Sequence, residues 1–178
     1  MRRCRPWLLA GVLALPAGAE AGSPPPGYRQ VASEVGVPPT ILYAVALAES
    51  GRAVGAWRAA RPWPWTLNLA GRGHHYRSRV EAYAALRQAL GAGRSSIDIG
   101  LMQVNWRFHG AKLRDPWAAL DPFFNLRTGA RILRHCYQRH KDWWQAVGCY
   151  HSPGTSLAQR QRAMAYRERV RRHWQRLG

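Results

Sequence analysis

Apolar positions recur along the chain with a spacing that predicts a mostly helical domain. The densest run falls over 40–50, where Ile41, Leu42, Val45 and Leu47 leave hardly any polar face. A helix that is apolar all round is a buried one. Pro38 and Pro39 open it, as proline is tolerated in a first turn, and Gly51 stands where helices commonly end. A short helix is expected before it, over 28–35. Over 78–90, Ser78 and Glu81 form an S-x-x-E capping pattern, with Val80, Tyr83, Leu86 and Leu90 as the apolar stripe and Gly91 and Gly93 as the stop. Further helices are expected over 122–140 (Leu126, Ala130, Leu133, Tyr137), over 142–150, and over 155–177 (Ala163, Tyr166, Val170, Trp174, Leu177), with a turn at 152–154.

Between these helices the periodicity fails. Residues 52–77 read as irregular, with Trp65–Asn68 as a short strand, and 97–107 (IDIGLMQVNWR) begin strand-like and turn helical after Gly100. No internal repeat is present. The sum is an α+β domain, predominantly α, with a small β-like or irregular middle segment.

Length and composition narrow the class. The 178 residues suffice for one domain with a real core, and nine tryptophans argue against a low-complexity chain. The first 21 residues have the order of an export signal: Arg2, Arg3 and Arg5, then the apolar run WLLAGVLAL, then small residues at 17–21. That run is short for a permanent anchor, so no permanent membrane span is expected and the periplasm is the expected location. Residues 22–27, GSPPPG, read as a stiff linker to a domain over 28–178. Loss of residues 1–21 would leave a net charge of +16 against +18 for the whole chain, so the basic character belongs to the domain. Such a field favours nucleic acid, anionic lipid or acidic wall polymers. Export argues against nucleic acid. Cys136 and Cys149, the two cysteines of the exported chain, suggest one disulfide, with two buried thiols as the alternative.

The candidate chemistry begins at Glu49, which follows Val45 by four residues and so continues the apolar stripe of its helix. Burial, the negative end of the helix dipole and the lack of a basic residue on the preceding turn all push its pKa upward. A carboxyl that stays protonated near neutrality is a usable general acid. On periodicity alone, a solvent-facing helix-end glutamate is an equal reading.

Gly100-Leu101-Met102-Gln103-Val104-Asn105 follows at a distance. The ordered set ALAESG, GLMQVNW, NLRTGARIL and YHSPG resembles the soluble-type lytic transglycosylases, with a lysozyme-like fold, from about Tyr28 to Leu177. The small size and leader are most similar to the specialised enzymes of secretion, conjugation and pilus systems. The resemblance implies a peptidoglycan substrate, cleaved between N-acetylmuramic acid and N-acetylglucosamine with a 1,6-anhydro product, and local opening of the wall for a transfer or secretion apparatus. It implies that Glu49 is the single catalytic acid and base, and that Ser50, Gly100, Leu101, Met102, Gln103, Asn105 and Tyr150 line the substrate cleft. His151 departs from the family pattern, which has asparagine after the tyrosine. Asp98 is a rival second carboxylate for a muramidase-type hydrolase; the other reading is that it caps the turn before Gly100. Trp63 and Trp65 read either as a cleft wall or as core.

Other chemistries find no support. The histidines His74, His75, His135 and His140 make no metal pattern, and HExxH, CxxC, G-x-S-x-G and phosphate-loop motifs are missing, so no metal and no cofactor is expected. A monomer is expected, with components of a secretion, conjugation or pilus machine as candidate partners. A catalytically inactive wall-binding or scaffold domain is the alternative outside enzymology. The basic helix over 155–177 carries Arg160, Arg162, Arg167, Arg169, Arg171, Arg172 and Arg176, which read as a solvated face or as a surface for an anionic partner.

Overall fold

The computed structural model describes residues 22–54 and 59–177, so the expected leader over 1–21 lies outside the described residues. Helix α1 (Pro26–Val35) buries Tyr28, Val31 and Ala32 and ends at Gly36, whose φ of 72° lets its N–H reach the Ala32 carbonyl. It begins two residues earlier than expected. Pro24 is buried and its carbonyl accepts from Arg29 Nη1 at 2.7 Å, and Pro26 and Gly27 already belong to α1.

Helix α2 (Pro39–Ser50) is the central rod, with Ile41, Leu42, Ala44, Val45, Ala46, Leu47 and Ser50 all buried. Gly51 stops it, though in extended conformation (φ −60°) instead of the left-handed one. Glycine is needed there because a Cβ would collide with the Leu47 carbonyl oxygen.

The strand expected over Trp65–Asn68 is present one residue later, and the rest of the segment read as irregular also holds short strands. β1 (Gly51–Val54) pairs antiparallel with β2 (Ala59–Pro62). β3 (Thr66–Leu69) and β4 (Arg72–His75) make a hairpin, turned by Ala70 (φ 53°) and Gly71 (φ 82°). Two successive positive φ angles suit the right-handed twist of the strands. β5 (Ile97–Ile99) and β6 (Val104–Asn105) complete an antiparallel sheet in the order β4-β3-β5-β6.

Helix α3 (Arg79–Gly91) is capped by the Ser78 hydroxyl, which accepts from Glu81 N–H. The return bond of the expected capping box is displaced by one residue: the Glu81 carboxylate accepts from Arg77 N–H. Its buried face is Ala82, Leu86 and Ala89, and Val80, expected in the stripe, is 65% exposed. Helices α4 (Trp106–Leu113) and α5 (Pro116–Ala119) lead into α6 (Pro122–His140), α7 (Trp143–His151) and α8 (Leu157–Gln175). Asp121, Asp142 and Ser156 cap α6, α7 and α8 through side-chain oxygens.

α6 packs on α7, α7 on α8 and α8 on α2, so the central rod is embraced by chain from both halves of the sequence. A disulfide joins Cys136 on α6 to Cys149 on α7. The architecture is predominantly α, with the small sheet beside the end of α2, in agreement with the expected lysozyme-like class. No single helix among the described residues is long and apolar enough to cross a membrane.

Candidate active site

Four segments meet at the C-terminal end of α2: Glu49–Ser50, the turn 100–103 between β5 and β6, the end of α7 at Tyr150, and Tyr166 in the middle of α8. The turn is tied down from every side. Gly100 has φ 79°, and a Cβ on it would lie 2.5 Å from Asn125 Cγ, so only glycine fits. Gly100 N–H donates to the Thr66 carbonyl at 2.8 Å. Asn125 of α6 is 1% exposed and binds three backbone groups: Met102 N–H at 2.9 Å on Oδ1, and the carbonyls of Ile99 and Ala119 through Nδ2 at 2.8 and 3.1 Å. The Leu101 carbonyl accepts from Ser50 Oγ at 2.8 Å, and the Met102 carbonyl from Tyr150 OH at 2.6 Å. Gln103 Nε2 donates to the Gly100 and Thr66 carbonyls at 3.0 and 3.2 Å.

These bonds redistribute the roles expected for the residues. Ser50, Leu101 and Met102 are 2%, 6% and 0% exposed, so their side chains are buried around the turn. Asn105 is the cap of α4, and its amide donates to Asp98 Oδ1 at 2.7 Å. Asp98 does not cap the turn; it faces Asn105 across the β5–β6 pair. Tyr150 stands in the site, with its hydroxyl committed to the turn and not to Glu49. Gln103 keeps an Oε1 with no partner among the described residues, and that atom can accept from a hydroxyl. Trp63 and Trp65 pack edge to face at 5.8 Å, and Trp63 Nε1 donates to the Tyr76 carbonyl at 2.7 Å, which favours the packing reading.

The partner of Glu49 comes from a residue that sequence reasoning placed only in an apolar stripe. Tyr166 OH donates to Glu49 Oε1 at 2.6 Å. Tyr166 is buried and held by two neighbours: the His151 ring stacks on it at 4.3 Å with an interplanar angle of 1°, and the Arg169 guanidinium carbon lies 4.9 Å from its ring centre. His151, where the resemblance led to an asparagine, thus acts as a spacer that aims Tyr166. A tyrosine in an otherwise apolar stripe carries a hydroxyl that must find a partner when buried, and that was the signal available for it. Asn125, a buried polar residue one position before Leu126 of the stripe, offered the same kind of signal.

The Glu49 carboxyl has its pKa pushed up to about 7. Burial is the main cause. The Tyr166 bond and the Arg169 charge pull it back, and the Asp98 charge adds a smaller upward push. Burial also holds Asp98 above the usual carboxylate range, opposed by its bond from Asn105. With Oε1 accepting from Tyr166, the acidic proton of Glu49 resides on Oε2, which has no protein partner among the described residues. A group balanced near neutrality can both give and take a proton. No cluster of three or more His, Cys, Asp or Glu suited to a metal ion occurs among the described residues.

A family model described as the transglycosylase SLT domain covers residues 28–172, from α1 through most of α8. No curated protein and no solved structure matches significantly.

Proposed function

The chain belongs to the transglycosylase SLT family, and its function is peptidoglycan cleavage of the lytic transglycosylase type; from this we propose that Glu49 performs both proton transfers of the reaction. Protonated Glu49 gives its Oε2 proton to the glycosidic oxygen between N-acetylmuramic acid and N-acetylglucosamine. The bond from muramoyl C1 to that oxygen breaks, and the N-acetylglucosamine end leaves as an alcohol. The Glu49 carboxylate then takes the proton of the muramoyl C6 hydroxyl, whose oxygen closes on C1. The product is a 1,6-anhydro sugar, no water is consumed, and Glu49 ends protonated as it began.

The observation that supports this reading is the carboxyl balanced near pH 7 with one oxygen held by Tyr166 and the other unpartnered. One group can serve as acid and then as base only if neither form is strongly disfavoured. Tyr166 meets the anion between the two steps, when a donor to Oε1 is worth most. Gln103 Oε1 and the rigid turn around it position the strand. A hydrolytic reading would need Asp98 as a second carboxylate, and its Oδ1 is already bound to Asn105.

The leader-like order of residues 1–21 supports action in the periplasm, and from it we infer local opening of the wall for a transfer or secretion apparatus. The test is mass spectrometry of products from purified sacculi. Wild type is expected to release anhydro-muropeptides and Glu49→Gln none, with the variant folded. Reducing-end products would establish a muramidase instead. Anhydro products from Glu49→Gln would remove Glu49 from the reaction.

A further inference from the structure

Tyr150 and His151 stand side by side at the C-terminal end of α7, and each has one task in the site. The Tyr150 hydroxyl holds the Met102 carbonyl at 2.6 Å, and the His151 ring lies flat on Tyr166, whose hydroxyl holds Glu49. Whatever fixes that end of the helix therefore fixes the site. α7 has nine residues, too few to keep a helix without outside support. Its first turn is secured: Asp142 caps it, and Trp143 stacks on Tyr137 of α6 at 4.1 Å. Its last turn has no left-handed closing residue; Ser152 follows in extended conformation, with its N–H on the Gly148 carbonyl. The covalent tie at this end is the Cys136–Cys149 disulfide, one residue before Tyr150. Its other half sits on α6, the helix that carries Asn125, and Asn125 grips the same turn 100–103. The disulfide thus joins the two helices that hold that turn and closes a frame around it. It spans only 13 positions, so its constraint on the unfolded chain is at the small end for a crosslink. The middle of α7 is held without it, by burial of Ala146, Val147 and Gly148, the last packed against Ala163 of α8. Both half-cystines line a solvent-open groove of about 490 Å³, which gives a small reductant a path to the bond.

We propose that Cys136 and Cys149 are positioning residues of the site: their disulfide pins the end of α7 so that Tyr150 and His151 keep their contacts, and its reduction by a dithiol switches cleavage off while the fold persists. The pinning rests on the bonds just given; its effect on cleavage rests on the transglycosylase reading. In the switching step one thiolate of the dithiol attacks a sulfur of the bond and forms a mixed disulfide. The second thiol of the reductant then displaces the protein sulfur. Two electrons and two protons pass to Cys136 and Cys149, and the dithiol is oxidised to its own disulfide. With the bond open, the last turn of α7 is free to move away from α6. Tyr150 then lets go of the Met102 carbonyl, and Tyr166 loses the ring that aims its hydroxyl at Glu49.

The experiment uses the whole chain in its oxidised form, the same protein reduced by dithiothreitol, and the variant Cys136→Ala/Cys149→Ala. The readouts are kcat and KM on soluble glycan strands across pH, far-ultraviolet circular dichroism, and amide hydrogen exchange resolved by segment. The reduced protein and the double variant are expected to keep their helix signal and KM, and to lose kcat about tenfold or more, as small misplacements cost at a reacting centre. The high-pH limb of kcat should move upward in both, as Glu49 loses the hydroxyl that favours its anion. Exchange should quicken over 100–103 and 148–152 and not over α2. Reoxidation should restore the reduced protein. The double variant, which keeps Cys4, should not respond to the reductant. Full kcat after reduction overturns the proposal. So does a loss of kcat that comes with a lost helix signal or with faster exchange throughout, because the bond would then serve the fold alone. Locally faster exchange in a protein that cuts no strand even when oxidised would sink the transglycosylase reading and uphold the pinning.

Discussion

Replacing Glu49 by glutamine removes a titration that works against the fold, and the effect can be sized. The carboxyl sits at about 7 in the folded chain against an ordinary 4.5. Between those values the unfolded chain has released a proton that the folded chain still holds, so stability falls as pH rises through the window. At roughly 1.4 kcal/mol per tenfold in proton affinity, the loss amounts to about 3 kcal/mol above pH 7 and vanishes below the unfolded value. Glutamine keeps the acceptor for Tyr166 and has nothing to ionise. Glu49→Gln is therefore expected to match wild type at about pH 4 and to exceed it by about 3 kcal/mol at about pH 8.5. In melting temperature that is roughly 6–12 °C for a chain of this length. The assay is urea unfolding of both proteins across the range, disulfide intact, with the difference plotted against pH so that every other titration cancels. A flat difference, or one in which wild type gains on the variant as pH rises, would show that the carboxyl is not held protonated by burial, and the reasoning behind the proposed acid would fall with it.

Tyr166→Phe deletes the bond that lowers the Glu49 pKa, so the limb of the pH–kcat profile that reports this group should move to higher pH, with kcat down about tenfold; an unmoved profile would count against the contact. Asp98→Asn removes a charge that raises the Glu49 pKa, so the same limb should shift slightly to lower pH while turnover persists, and complete loss of turnover would make Asp98 a second catalytic carboxylate. Asn125→Ala strands a buried N–H and two buried carbonyls at once and should cost about 3 kcal/mol or more in urea unfolding. A loss below about 1 kcal/mol would mean that the turn 100–103 is held by other means.

What the sequence made legible was whatever followed a period or stood at a fixed offset. The apolar run over α2, the stripe of α6 and the position of Glu49 at the end of its rod all emerged from spacing, and Cys136 and Cys149 from compartment chemistry. Of the strands, β3 and β5 were legible, over Trp65–Asn68 and from Ile97, and the others were not. β1 to β4 are four residues each, and β4 is exposed throughout, so no inside–outside alternation marks it. Val80 joined its stripe by arithmetic, but α3 buries small alanines on a neighbouring face. The site was half legible for a different reason. Sequence order separates Glu49 from Tyr166 by 117 positions, and no local pattern states which hydroxyl will reach which carboxyl. Ser50, Met102 and Asn105 were expected to line the cleft because the family resemblance places them there. In the structure they bond to the Leu101 carbonyl, to Asn125 and to Asp98 respectively, which is how a tight turn keeps its shape.

The dependence of Glu49 on Tyr166 also sets a timetable for the nascent chain. The acid emerges early in synthesis, and the side chain that tunes it lies on the helix made after every other described element. A partly made or clipped chain ending before α8 would hold the carboxyl without its hydroxyl, its His151 brace unloaded and its rod uncovered along one side. If Glu49 is the acid proposed above, cutting activity waits for the whole domain to be assembled.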